Sequence, residues 1–418
     1  MTKKNRATDA SFLRGVTQRG ISRRDILRIS GLSAATIAFA AACGVKGQGT
    51  PTATGTDAVK AFWDGKTKHG KLSFANWPLY MDTDKKPELT KFTEQTGIQV
   101  SYDEVIQEMG PWFAKVQPQL AAGQSIGYDL MVITNGIQFK QFKQLGYLAP
   151  LDHAQMPNFT KNVGASYTHS TYDPGNAFSV PWASGMTGIA YDPEKVGEIT
   201  KLADLWDPQY AGKVGMFSDT QELANFGLLV LGLDPDTSTP ADWDKAAKKL
   251  KDQKDAGIVR NYYDQSYIDA LASGEVWITQ AWSGDILQRN LSDGSNLQFI
   301  IPEEGGTIWT DNMAIPSTAE NPVDALMLLD FFYDPAIAAS LAEYIGYVTP
   351  VPSAKAAMQA DADAAPDDDT KSYIEDLIAN PTIFPDDGTY QKLHYYVDFE
   401  TTELQQQFQS TFEPIVLS

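Results

Sequence analysis

Seven side chains of this 418-residue sequence pair aromatic faces with carboxylates at places where a small ligand could meet them. Trp77, Tyr80, Trp282 and Trp309 supply rings, and Asp219, Glu222 and Asp311 supply acids. A ring face attracts a cation by about 0.5–2 kcal/mol. An ion pair at about 4 Å contributes roughly 4 kcal/mol at an effective dielectric near 20, before desolvation is subtracted. Rings interleaved with carboxylates therefore suit a polyammonium chain, whose methylenes lie along the rings while its N–H donors meet the acids. Each residue also has an ordinary use. One tryptophan among nine is commonly core or rim, and Asp219 is well placed to cap a helix that starts at Thr220.

These residues recur at the ends of expected strands, which gives them joint meaning. Short β-rich runs alternate with amphipathic helical stretches, the pattern of an α/β protein. Strands are expected at 71–75, 98–102, 128–132, 178–181, 188–191, 213–216, 276–280, 297–301 and 312–315. Helices are expected at 86–96, 109–122, 220–231, 241–254 and 401–412, with Gly97 as the stop of the first. In open α/β sheets the ligand sits beyond the carboxyl ends of the strands. Asn76-Trp77-Pro78-Leu79-Tyr80, Ser218-Asp219-Thr220-Gln221-Glu222 and Ala281-Trp282-Ser283-Gly284 each follow such an end. Ile308-Trp309-Thr310-Asp311 comes just before the last strand.

The amino-terminal region reads as an address. Ser22-Arg23-Arg24-Asp25-Ile26-Leu27-Arg28 precedes an apolar, small-residue run to Ala42, the layout of a twin-arginine export signal over 1–42. Ala40-Ala41-Ala42-Cys43 resembles a lipoprotein cleavage site, with Cys43 acylated; a plain signal-peptidase site is the alternative. Residues 43–70 hold a Gly, Thr and Pro tether. Cys43 is the sole cysteine, which rules out an intrachain disulfide and a cysteine-rich metal site. Beyond residue 42 there are 25 basic and 51 acidic residues, so the net charge falls from −20 to −26. Such a surface disfavours nucleic acid and anionic lipid and concentrates cations.

Together these pieces resemble the spermidine/putrescine-binding proteins of bacterial ABC importers, within the type II periplasmic binding proteins. The resemblance rests on Asn76-Trp77 with Tyr80, Phe92-Thr93-Glu94-Gln95-Thr96-Gly97-Ile98, Tyr128-Asp129-Leu130 and the run from Leu205 to Lys213. It continues through Gly274-Glu275-Val276, Pro302-Glu303-Glu304-Gly305-Gly306 with Trp309 and Asp311, and Ile345-Gly346-Tyr347-Val348-Thr349-Pro350. It implies an aromatic box with acidic anchors: Trp77 and Tyr80 in the first loop, Asp219 and Glu222 at a helix start, Trp282 stacking, Trp309 and Asp311 as wall and anchor, and Tyr347 closing the pocket. Thr134-Asn135-Gly136 stands where the family tends to have Ser-Thr-Tyr, so Thr134 lines the site without an aromatic wall. Asp264 falls where a Ser is usual and would add a carboxylate. The resemblance also implies a two-lobed fold with a two-strand hinge, one lobe from 71–181 plus about 310–352 and the other from 182–309 plus about 353–418. An ABC permease and, through it, an ATPase are the implied partners, with no cofactor and an extracytoplasmic location.

An exported hydrolase is the rival from another class. The four histidines, His69, His153, His169 and His394, show no zinc-ligand spacing, and no Gly-x-Ser-x-Gly elbow is present. Another amine, a sugar, or a ferric ion held by Tyr262 and Tyr263 are rivals within binding proteins. The phenols of Tyr262 and Tyr263 suit sheet packing, and the acidic run 361–369 suits a solvated loop.

Overall fold

The computed structural model describes residues 56–417 apart from 79, 86, 108 and 400, and omits the side chains of 291 and 292. The export signal and Cys43 lie outside the described residues. Among the described residues ten strands form one sheet: β1 (Lys71–Asn76), β2 (Gln99–Glu104), β3 (Leu130–Thr134), β4 (Ser179–Tyr191), β5 (Val214–Phe217), β6 (Val259–Tyr263), β7 (Ile278–Trp282), β8 (Gln298–Ile300), β9 (Gly306–Ala314) and β10 (Leu393–His394). Their order is β2-β1-β3-β9-β4-β7-β5-β6, with β10 beside β9 and β8 beside β4. β2, β1 and β3 run parallel, as do β6, β5 and β7. Between these two parallel halves lie β9 and β4, paired antiparallel to each other and to their outer neighbours.

Each half carries its own packing. Phe74, Phe92, Trp182, Phe332 and Tyr333 belong to a core around the first half, and Val214, Phe226, Trp243, Phe408 and Phe412 to one around the second. Local sequence explains the elements that frame them. Leu89 and Phe92 are the buried i, i+3 pair of the helix Pro87–Thr96, which Gly97 ends at φ 73°. Asp219 caps the helix Thr220–Leu229 by accepting from the amides of Gln221 (2.8 Å) and Glu222 (3.0 Å). The C-terminal helix Thr402–Leu417 buries Phe408 and Phe412 against the second core. Among the described residues no single helix is long and apolar enough to cross a membrane.

Several expectations are corrected. The runs at 178–181 and 188–191 are parts of one buried 13-residue strand, β4. β9 begins six residues before the expected 312, so Trp309 and Asp311 sit within a strand and not ahead of it. The cause is tertiary: β9 is hydrogen-bonded on both sides, which holds its polar stretch extended. β6, carrying Tyr262 and Tyr263, is an edge strand with an exposed Arg260-Asn261 start that masked it in the sequence. The acidic run 361–369 is not a loop; it joins the end of Ala354–Asp363 to the start of Asp368–Ala379, where Asp367 caps by accepting from Thr370 N–H. Residues Ala354, Met358, Ala362, Ile374 and Leu377 pack in the first core, and the tail from Val397 packs in the second.

Candidate functional site

Three carboxylates converge where the two halves of the sheet meet. Asp311 lies on β9 directly across from Thr134 on β3, and the pairing places the Thr134 hydroxyl to donate to Oδ1. Tyr80, from the loop after β1, donates its OH to Asp311 Oδ2 at 2.6 Å. Glu222 stands on the first turn of the helix capped by Asp219, and its Oε1 accepts three hydrogen bonds: from Thr187 (2.8 Å), Trp282 Nε1 (3.1 Å) and Tyr396 (2.9 Å). Thr187 and Trp282 are cross-strand partners on β4 and β7, so the sheet register sets both donors. Glu222 Oε2 is buried with no partner among the described residues. Asp285 stands on the first turn of the helix Ser283–Asp293 that follows β7; Tyr267 donates to its Oδ2 at 2.9 Å and Tyr347 to its Oδ1 at 3.1 Å.

Rings link the three acids. Tyr80 meets Tyr347 at 5.8 Å between centroids, Tyr347 meets Trp309 at 5.4 Å, and Trp309 meets Trp282 at 6.4 Å. Trp282 leans on Phe217 at 4.6 Å and on Tyr267 at 6.0 Å. Two glycines make room for this set. Gly185 pairs with Trp309 across the sheet, and a Cβ there would lie 2.1 Å from the indole. A Cβ on Gly284 would lie 2.5 Å from the Tyr347 ring.

The electrostatics are one-sided. Among the described residues no Lys, Arg or His forms an ion pair with Glu222, Asp285 or Asp311, and their donors are all neutral hydroxyls or an indole. Burial pushes Glu222 up to about 7, with the neighbouring Asp219 charge adding to it and the three donors opposing it. Asp285 and Asp311 rise to about 6, again from burial, each partly held down by its two hydroxyl donors. Carboxylates kept from water without a cation are unfavourable until a positive charge arrives. The same burial raises the Tyr80, Tyr267, Tyr347 and Tyr396 phenols well above the ordinary range, so they stay protonated as donors.

Of the residues singled out in the sequence, Tyr80, Thr134, Glu222, Trp282, Trp309, Asp311 and Tyr347 come together here. Asp219 adjoins the cluster as the helix cap and is itself exposed to solvent. Trp77 is half-buried between two packing clusters, and its Nε1 donates to the Val132 carbonyl at 3.1 Å, so it buttresses the first loop. Asp264 is exposed and turned to its own chain, accepting from Ser266 N–H at 2.9 Å, so the added carboxylate expected there is not brought to the cluster. The additional acid is Asp285, three residues past Trp282 on the first turn of the helix, one residue beyond the Ala281-Trp282-Ser283-Gly284 run singled out in the sequence. Thr187, Tyr267 and Tyr396 were also missed; they come from a strand interior, a short helix and the C-terminal segment, with no local pattern to mark them.

Comparison with known proteins shows the family of the chain. Residues 127–376 match the family described as bacterial extracellular solute-binding protein. The chain is 30% identical to the spermidine/putrescine-binding periplasmic protein 1 of Haemophilus influenzae, over 77% of this chain and 83% of that one. It is 31% identical to the putrescine-binding periplasmic protein SpuD of Pseudomonas aeruginosa, over 78% of this chain and 87% of that one. Its fold is similar to the Streptococcus pneumoniae spermidine/putrescine ABC transporter substrate-binding protein PotD, with a TM-score of 0.69 and 27% identity over 82% of this chain and 98% of that one.

Proposed function

This chain belongs to the bacterial extracellular solute-binding proteins, together with the spermidine/putrescine-binding periplasmic proteins, and we propose that it captures a linear polyamine for an ABC importer. The observation that carries this reading is the set Glu222, Asp285 and Asp311, all buried or half-buried, held by neutral donors and joined by rings. A polyammonium ligand supplies the missing charge. Its N–H groups take the free lone pairs of Asp311 and Asp285 and the unpartnered Oε2 of Glu222, while its methylenes lie along Trp282, Trp309 and Tyr347. A sugar would use the rings but leave the carboxylates uncompensated. A ferric ion would need donors that Tyr262 and Tyr263 do not gather: Tyr263 is buried on β6 with its OH near Glu275 at 3.4 Å.

Among the described residues the cluster gathers carboxylates, phenols and indoles, whose chemistry is ion pairing and stacking, and this supports capture and release of the ligand. The lobes are the two halves of the sheet with their cores, β4 and β9 form the hinge between them, and closure on the ligand presents a permease with a changed surface. Cys43, acylated after cleavage of the export signal, anchors the protein at the outer face of the cytoplasmic membrane. Native mass spectrometry of the chain with an equimolar mixture of spermidine, putrescine, glutamate and maltose tests the ligand class. Retention of one polyamine per chain supports it, and retention of glutamate or maltose alone overturns it.

A further inference from the structure

The half-buried Tyr396 that donates to Glu222 also walls a second cavity, of about 100 Å³, between the helix Ile137–Gln144 and the segment 395–399. This cavity therefore begins one phenol away from a carboxylate of the proposed site. Its volume is roughly the share of three waters, enough for the aminopropyl arm by which a linear tetraamine exceeds a triamine. Its charge is the opposite of the site's. Lys140 and Lys143 both line it, and Asp398, the one carboxylate among its described lining residues, is already paired with Lys140 at 2.7 Å. Lys143 donates to the Tyr172 carbonyl, and among the described residues no carboxylate lies within ion-pair distance of it. Burial draws the Lys143 ammonium below the ordinary lysine range, opposed by the fields of Asp173 and Asp398.

We propose that this chamber is a charge filter: it has room for a longer polyamine, but Lys143 repels a further ammonium, so the protein selects short polyamines over a linear tetraamine by charge and not by size. The inference rests on the polyamine reading above. At the closest approaches the chamber allows, two like charges at an effective dielectric near 20 repel by an amount that lowers affinity by tenfold or more.

Calorimetric titration of the full chain with putrescine, spermidine and spermine at one ionic strength tests it, using wild type, Lys143→Gln and Lys143→Arg. Wild type and Lys143→Arg are expected to bind spermine at least tenfold more weakly than spermidine. Lys143→Gln is expected to bring spermine to within about threefold of spermidine, with putrescine and spermidine changed by less than twofold. Spermine binding as tightly as spermidine in wild type overturns the filter even if Lys143→Gln fails to fold. An unchanged ratio in folded Lys143→Gln overturns it too, as does a loss of exclusion in Lys143→Arg. If wild type binds none of the three amines, it is the polyamine reading that falls, and the filter with it.

Discussion

Replacing Glu222 with glutamine separates the cost of this carboxylate in the free protein from its contribution to the ligand. The substitution is close to isosteric: the amide oxygen takes the place of Oε1 with its three donors, and the NH₂ takes the place of the unpartnered Oε2. Glu222 is 1% exposed, and burial moves it from 4.5 to about 7, a difference of roughly 3 kcal/mol. The sign follows from proton counting. Between about pH 4.5 and 7 the native state holds a proton that the unfolded state has released, so stability falls as pH rises through this window. The cost is fully present above about pH 7 and absent below about 4.5. Glu222→Gln should therefore raise the melting temperature of the ligand-free protein at pH 8 by about 3–4 °C for a chain of this size, and leave it nearly unchanged at pH 4.5. Polyamine affinity at pH 8 should fall by at least about 30-fold, because a desolvated charge partner is gone. Differential scanning calorimetry at the two pH values, with titration calorimetry at pH 8, reads both effects. A lowered melting temperature at pH 8, or an equal rise at both pH values, would refute the reasoning.

Asp285→Asn should weaken spermidine binding by about tenfold or more while Asp264→Asn changes it less than twofold, a contrast measured by titration calorimetry on both variants. Gly185→Ala should displace the Trp309 indole, destabilising the protein by about 1–3 kcal/mol in urea unfolding and abolishing ligand-induced tryptophan fluorescence change. Binding near pH 6 should release protons, since an arriving cation favours the ionised forms of Asp285, Asp311 and Glu222; calorimetry in buffers of different ionisation enthalpy counts them. Cys43→Ser should move the exported protein from the membrane to the soluble fraction of fractionated cells.

Much of the site was legible because its residues stand at strand ends, where sequence patterning and ligand geometry coincide. Trp282 closes the buried strand β7, and Glu222 follows a capping Asp219, so both could be placed from local rules. Trp309 and Asp311 were found as a pair but put ahead of their strand. The polar stretch Thr307–Asn312 is held extended by pairing with β3 and β4, a constraint that no short window contains. Tyr396 lay beyond the same kind of reasoning: a half-buried tyrosine 174 residues from Glu222 is brought to it by the C-terminal segment, where β10 adds to β9. Asp264 misled for a physical reason as well. An Asp just past a strand serves equally well to turn the chain, and here it accepts from the Ser266 amide. Alternating helices and strands identified the α/β class, whereas the lobe to which 354–379 belongs depended on which core its alanines, Met358, Ile374 and Leu377 entered.

The central claim, that Glu222, Asp285 and Asp311 await a polyammonium ligand, is tested most directly by titrating the protein at pH 8 with spermidine, putrescine and maltose in a calorimeter, beside Asp311→Asn. Saturable one-to-one binding of a polyamine, weakened at least 30-fold by the substitution and absent for maltose, is the predicted result. Binding of maltose, or polyamine binding unaffected by Asp311→Asn, would contradict it.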